Sequence, residues 1–324
     1  MTLRSRLLGV GHSLPARVVE NSEFKNWIDT SDEWIESRSG IKRRHFAAKD
    51  QKTSDLAIEA ALNAINDAKI NCTEIDAIIV ATSTPDTTFP SVATIVQGAL
   101  GITTGFAFDV QAVCAGFIFA LATADALIVS KQANRVLVIG AETFSRIMNW
   151  EDRTTSVLFG DGAGAVIIEG TSSSGLSTDP GILATDLNSD GRYRDLLYVD
   201  GGVSSTQTTG VLVMQGKEVF KHAVEKLSST AHSVLEKAAL SPSDIDWMVP
   251  HQANIRIIKA TAQKLKLPME KVIVTVNDHG NTSAASIPLA LSSANLEGKL
   301  KKGDLILMEA IGGGLAWGSV LLRL

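Results

Sequence analysis

Apolar positions along the 324-residue chain change their period repeatedly, and each change marks an element. In residues 54–68 they fall at Leu56, Ala57, Ala60, Ala61, Ala64, Ile65 and Ala68, the spacing of a helix with one buried face. Residues 75–82 (IDAIIVAT) then form the short β-branched run of a strand buried on both sides. A helix follows over 91–100, a strand over 106–110, a largely apolar helix over 115–130 and another buried strand over 135–141 (RVLVIGA). This alternation predicts α/β layers with helices covering mainly parallel strands. The leading segment 1–15 has Arg4 and Arg6 before Leu7 and Leu8, and Gly9, Gly11 and His12 break its apolar run at once. It reads as a first strand and not as a secretory signal.

The second half repeats this order. Glu74-Ile75-Asp76 leads into a hydrophobic strand, and so does Asp244-Ile245-Asp246 before Trp247, Met248 and Val249. Each is followed by a helix, a strand (106–110 and 272–276), a turn and an apolar helix. Each half closes on a glycine-rich turn into a strand, FGDGAGAVII (159–168) and GGGLAWGSVLL (312–322). A duplicated α/β unit is implied, divided in the Ser/Gly-rich stretch 170–175 into halves 1–170 and 171–324. The junction of two such halves is a natural place for a site.

Composition narrows the classes. With 45% hydrophobic and 20% charged residues the chain has ample material for a core. No stretch of about 18 uncharged apolar residues predicts a membrane span. Two cysteines, Cys72 and Cys114, give no disulfide framework, and a reduced, cytoplasmic protein is expected. The formal charge of −5 argues against general nucleic-acid binding, though a local basic patch could still receive an acidic protein. No Walker-type phosphate loop or zinc spacing occurs, and GDGAGA (160–165) lacks the following helix of a dinucleotide fingerprint. Metal and nicotinamide cofactors are not expected.

Three residues stand where a duplicated α/β unit places its chemistry. Cys114 follows the strand FAFDV and opens an apolar helix, where the partial positive charge of the helix N-terminus favours a thiolate and lowers the pKa. His251 directly follows the equivalent strand of the second half, at the carboxyl end where such sheets bind ligands. Asn281 lies in the turn and helix start corresponding to Cys114 in the repeat, so the duplication itself pairs the two. Taken singly, each has a bland alternative: a buried structural thiol or a turn-forming polar residue. Gly312-Gly313-Gly314 could offer bare N–H groups to an oxyanion or merely turn the chain. His279 is a rival base, and Cys72 reads as structural.

Seven phrases in order carry a resemblance over residues 7–324: TSDEWIESRSGIKRRH (30–45), FDVQAVCAGF (108–117), FGDGAGA (159–165), MQGKEVFK (214–221), PHQANIRII (250–258), HGNTSAAS (279–286) and GGGLAWGS (312–319). Together they are similar to β-ketoacyl-acyl carrier protein synthase III, the initiating condensing enzymes of type II fatty acid synthesis. That resemblance implies the thiolase fold, a duplicated five-layer αβαβα sandwich forming homodimers, and a triad of Cys114, His251 and Asn281. It implies acyl transfer, acetyl foremost, from acyl-CoA to Cys114, with the oxyanion held by the N–H groups of Cys114 and Gly313. Decarboxylative condensation with malonyl-acyl carrier protein follows, without metal or cofactor. Trp34, Arg38, Arg153, Asn254 and Arg256 match coenzyme A contacts. Lys221, Arg256 and Lys264 match the basic docking patch for the acidic carrier, with Gln263 replacing a lysine of some members and Lys259 one turn earlier. Phe89 matches a residue that floors the acyl pocket from the neighbouring subunit, its bulk favouring a short primer.

Three other readings share some of these residues. A papain-like hydrolase also uses Cys, His and Asn, but Cys114 has no tryptophan close behind it and heads an apolar helix. A non-catalytic acyl-CoA-binding relative would not need the intact triad. A relative acting on medium-chain or branched primers would share every phrase and differ only in pocket volume.

Overall fold

The computed structural model describes residues 2–324, so Met1, the first residue of the predicted leading strand, lies outside them. Alternation of buried runs builds two sheets. The first has strand order Thr2–Ser13, Asp161–Ser173, Arg135–Thr143, Ala77–Ala81 and Phe106–Val110. Within it only Ala77–Ala81 runs parallel to its two neighbours; the other pairings are antiparallel. The second sheet has the order Trp247–Pro250, Leu305–Gly312, Ala316–Arg323 and Gly181–Ser189, with one parallel pair and two antiparallel ones.

The sheets are therefore mixed, not mainly parallel. In the second half Gly313-Gly314-Leu315 alone joins Leu305–Gly312 to Ala316–Arg323, and so short a link forces the strand back antiparallel. The strand predicted over 272–276 is also reduced, to a single parallel bridge between Val272 and Met248. Its last residue, Val276, opens the short helix Val276–His279 instead. Asp161–Ser173 pairs with Thr2–Ser13 as far as Ser173, and the chain enters the second sheet at Gly181.

Five layers result. The helices Gly116–Val129 and Ser286–Leu296 lie between the sheets, and each is buried almost all round. Ile118, Leu121 and Leu291 pack there with Ile79 and Val138 of one sheet and Met308 and Val320 of the other. This explains why both helices are apolar on every face. The amphipathic helix Thr53–Ala68 and the shorter Val92–Ala99 cover the outer face of the first sheet. Gly216–Lys237 and Ile255–Lys264 cover the outer face of the second. The Cys114 and Asn281 turns therefore each open a helix buried in the central layer, and His251 follows a strand of the second sheet.

One charged side chain interrupts the buried strand Leu305–Gly312. Glu309 has no exposed surface, and neither carboxyl oxygen has a hydrogen-bond partner. Burial pushes its carboxyl from an ordinary 4.5 up to about 8. The folded chain thus keeps a proton that the unfolded chain has released, and stability falls as pH rises between those values, by about 1.4 kcal/mol per pH unit. Glu309→Gln should remove this slope and be more stable than the parent at about pH 8. Urea unfolding of both proteins at several pH values tests this; parallel stability curves would contradict it.

Candidate active site

Beyond the strand Phe106–Val110 the chain makes a tight turn, Val113–Ala115, before the helix Gly116–Val129. Val113 takes φ +49°, a left-handed conformation unfavourable for a β-branched residue. The second half repeats the device: Ser283 has φ +50°, its turn is Ser283–Ala285, and the helix begins at Ser286. This register refines the expected pairing. The counterpart of Cys114 is Ala284, while Asn281 corresponds to Gln111, two residues before the left-handed position. Asn281 and Cys114 share equivalent turns, not equivalent positions.

The turns are held against the opposing strands by glycines. A Cβ on Gly312 would stand 2.6 Å from the Cys114 nitrogen, and one on Gly140 would stand 2.2 Å from the Ala284 oxygen. Gly312 thus lets the glycine run rest directly on the Cys114 turn, which brings Gly313 into the same neighbourhood.

Cys114, 4% exposed, His251 and Asn281 all line one cavity of about 550 Å³, so both halves contribute. His251 follows the strand Trp247–Pro250, and its N–H donates to the Glu309 carbonyl at 2.8 Å. Its Nδ1 lies 2.7 Å from Ser286 Oγ, which also accepts from the Gln252 N–H at 3.2 Å. Gln252 braces the segment: its amide donates to the Pro250 and Ile273 carbonyls, and its Oε1 accepts from the Thr275 and Val276 N–H groups. Asn281 Oδ1 accepts from the Ser283 N–H at 2.9 Å, which turns the amide NH2 outward as a donor. Its backbone is held on both sides, donating to Leu158 and accepting from Gly160.

Electrostatics depart from expectation at the thiol. Burial, the leading cause, pushes Cys114 from 9.0 up to about 12; a hydrogen bond with Ser283 opposes the shift and the Glu142 charge adds to it. The expected lowering by the helix N-terminus is outweighed by desolvation, so the unliganded site holds a thiol. Burial likewise brings His251 from 6.5 down to about 3, leaving a neutral imidazole throughout the physiological range. His279, the rival base, is absent from the cavity wall; its ring packs against His45.

Farther out, the cavity is lined by Trp34, Arg38, Asn254 and Arg256. The Arg38 and Arg153 guanidiniums sit 4.5 and 4.9 Å from the Trp34 ring centre, and Arg153 also donates to the Asp29 carbonyl at 3.0 Å. Asn254 caps the helix Ile255–Lys264, its Oδ1 accepting from the Arg256 N–H and its amide donating to the Arg38 carbonyl. Its side chain is therefore already engaged in holding the wall. Arg256 lies over Phe220, and Lys221, Lys259, Gln263 and Lys264 are exposed nearby on the same two helices. Phe89 is not in this cavity; it stands 83% exposed.

A cysteine and two neutral hydrogen-bond donors, drawn from two halves of a five-layer αβαβα sandwich, define a thiolase-fold condensing enzyme. Family models for 3-oxoacyl-[acyl-carrier-protein] synthase III match residues 108–191, and for its C-terminal part residues 235–324. A β-ketoacyl-[acyl-carrier-protein] synthase III of Cereibacter sphaeroides is 69% identical over 323 residues, covering 100% of both chains, and one of Rhodobacter capsulatus is 68% identical over the same span. The crystal structure of 3-oxoacyl-[acyl-carrier-protein] synthase III from Aquifex aeolicus superimposes with a TM-score of 0.93 at 47% identity, over 99% of this chain and 100% of that one. The chain belongs to the β-ketoacyl-acyl carrier protein synthase III family.

Sequence reasoning passed over Ser286, Gln252, Ser283 and Glu142. The signal for Glu142 was present, an acidic residue closing the apolar run RVLVIGAET. The serines carried none, because Ser in HGNTSAAS reads equally as turn and helix-start chemistry.

Proposed function

We propose that Cys114 accepts an acyl group from acyl-CoA and passes it to the carbanion formed by decarboxylation of malonyl-acyl carrier protein. The enzyme carries out the initiating condensation of type II fatty acid synthesis. What supports this assignment of roles is the convergence of Cys114, His251 and Asn281 on one cavity. The Cys114 sulfur attacks the thioester carbonyl, its C–S bond forms, and coenzyme A leaves. N–H groups of Cys114 and Gly313 receive the transient oxyanion. In the second half-reaction malonyl loses carbon dioxide, and the charge passes to its thioester oxygen. The Ser286 hydroxyl accepts from the Gln252 N–H and lies 2.7 Å from His251 Nδ1; we assign it as hydrogen-bond donor to Nδ1, which leaves Nε2–H as the donor toward substrate. Nε2–H and the Asn281 amide together stabilise the enolate. The carbanion attacks the acyl-cysteine, the Cys114 sulfur departs, and β-ketoacyl-carrier protein is released. The residues of this chain supply every role, so no metal or cofactor is invoked.

Trp34, Arg38, Arg153, Asn254 and Arg256 bind coenzyme A, the adenine against the indole and the phosphates against arginines. Asn254 acts there by fixing the Arg38 and Arg256 backbones. The exposed cations Lys221, Arg256 and Lys264 receive the acidic carrier protein. Trp34→Ala should raise KM for acyl-CoA roughly tenfold with little change in kcat, the scale of one cation–π contact; initial rates against acyl-CoA concentration test it.

The working unit is a homodimer, located in the cytoplasm. Supporting the dimer, the edge strand Phe106–Val110 has no neighbour on one side among the described residues, and the bulky Phe89 projects from the protein. Phe89 would then floor the partner's acyl pocket and favour acetyl. Halves 1–170 and 171–324 form one catalytic unit, since neither holds the triad alone. Incubation with an equimolar panel of acyl-CoA esters, followed by intact-mass and peptide analysis, tests the reading. An acetyl adduct on the Cys114 peptide supports it, a longer or branched adduct moves the primer, and no adduct there overturns the nucleophile.

A further inference from the structure

Cys114 must lose a proton before it attacks, and the cavity offers it no base. His251 is neutral and held near 3 by burial, too weak to keep a proton, and its Nδ1 is committed to Ser286. Asn281 accepts none. Near the thiol, and not among the residues lining the cavity, the structure holds a carboxyl group that the mechanism above leaves unused.

Glu142 stands at the inner end of the strand Arg135–Thr143 with no exposed surface. One oxygen is saturated: Oε2 accepts from Thr84 Oγ1 at 2.7 Å, the Ser83 N–H at 3.0 Å and Thr82 Oγ1 at 3.3 Å. The other, Oε1, has no settled partner, nor does the equally buried hydroxyl of Ser283. The Ser283–Ala285 turn packs against both the Arg135–Thr143 strand and the Val113–Ala115 turn, and the Ser283 side chain bears on the Cys114 thiol and the Glu142 carboxyl alike, lowering each. Two unpartnered buried atoms close to a nucleophile need an explanation beyond packing. Ser283 is held there by its left-handed backbone and by its N–H donating to Asn281 Oδ1.

We propose that Ser283 and Glu142 form a buried relay that takes the proton of Cys114 when the acyl group is loaded. The proposal rests on Cys114 being the nucleophile. As the S–H bond breaks, its proton passes to Ser283 Oγ while the Ser283 hydroxyl proton passes to Glu142 Oε1. Thiolate, unchanged serine and neutral glutamic acid result. The thiolate forms its bond to the acyl carbon and the C–S bond to coenzyme A breaks. Coenzyme A leaves as the thiolate and takes a proton from solvent. The proton on Glu142 returns through Ser283 to the Cys114 sulfur when condensation releases it as thiolate, so Glu142 is ionised again and the cycle balances with one solvent proton consumed. Glu142 touches no substrate and acts through Ser283.

The groups packed on Glu142 are the Thr82 and Thr84 hydroxyls and the Ser83 N–H from the turn after Ala77–Ala81. From the second half come the Ser283 hydroxyl and the Ala284 N–H. Cys114 is the titratable neighbour, and His251 and Asn281 face the thiol from the cavity side. Burial raises Glu142 to about 7, against the hydrogen bonds that lower it, so its ionisation falls where the enzyme works.

Alkylation of Cys114 by iodoacetamide reads the relay without any CoA substrate, using the full-length enzyme and peptide mass mapping. Cys72, partly exposed, serves as the internal control. The parent's Cys114 rate should rise through a limb near pH 7 as Glu142 ionises. Glu142→Gln and Ser283→Ala should each lose the limb and react about tenfold or more slowly at pH 8, with Cys72 unchanged. A parent profile without that limb overturns the relay and needs no variant. So does a limb retained in either variant whose thermal unfolding matches the parent. Acyl loading on Cys114 without the limb sinks the relay alone; a limb with no acyl adduct on Cys114 sinks the nucleophile reading instead.

Discussion

Alanine at position 114 is expected to abolish acyl transfer and condensation, by about 10⁴-fold or more, the scale of losing a nucleophile outright. No neighbouring group can substitute for it. Ser283 has a hydroxyl close to the thiol, but it is fully buried and does not line the cavity. Binding should survive, because Trp34, Arg38 and Arg256 lie at the cavity mouth and depend on other elements. The substitution removes one sulfur from a turn held by Gly312 and by its own backbone, so the unfolding midpoint should move little. Three measurements separate the outcomes: condensation rate, coenzyme A affinity by calorimetry, and thermal unfolding. Residual condensation within tenfold of the parent, in a folded protein, would show that Cys114 is not the covalent carrier.

The second large effect concerns the donors. Replacing Asn281 or His251 by alanine should slow condensation about 100- to 1,000-fold, the usual cost of one preorganised oxyanion donor. The loss should fall on the carbon-bond-forming half. Loading of Cys114 should be less affected, since its oxyanion is served by backbone N–H groups. Rapid mixing with acyl-CoA alone reads the first half; carbon dioxide release from malonyl-carrier protein reads the second. On the proposed roles, in which both donors serve one oxygen, the double variant should lose less than the product of the single losses. Equal loss in both halves would mean that these residues hold the site's shape and do not serve the enolate.

Much of the architecture was legible from period alone. The helices at 54–68 and 115–130 and the strands at 75–82, 106–110 and 135–141 appear within one or two residues, because uniform burial or a single buried face leaves a strong signal. Strand direction was not legible. The return from Leu305–Gly312 through a glycine turn is antiparallel for reasons of link length, whereas alternation of elements speaks only of layers. The segment 272–276 looked like a strand because Val272, Ile273, Val274 and Val276 suit one; Val276 instead joins the short helix that sets Asn281 in place. At the site, Cys114 and His251 were visible because they follow strands, and Asn281 because its turn repeats the Cys114 turn before an apolar helix. The thiol's protonation was not, since a helix-start argument lacks the burial that dominates it. Ser286, Gln252 and Ser283 act through hydrogen bonds across 20 to 35 or more residues of chain, or through a left-handed backbone, and neither leaves a mark in composition.

The Arg38 and Arg153 guanidiniums both rest on the Trp34 indole. In the proposed binding mode an adenine would enter between the indole and these guanidiniums, so its affinity would include the cost of parting contacts already made. Flat cationic fragments should bind poorly at this indole, and flat neutral or electron-poor ones well, because only the former duplicate what the protein already supplies.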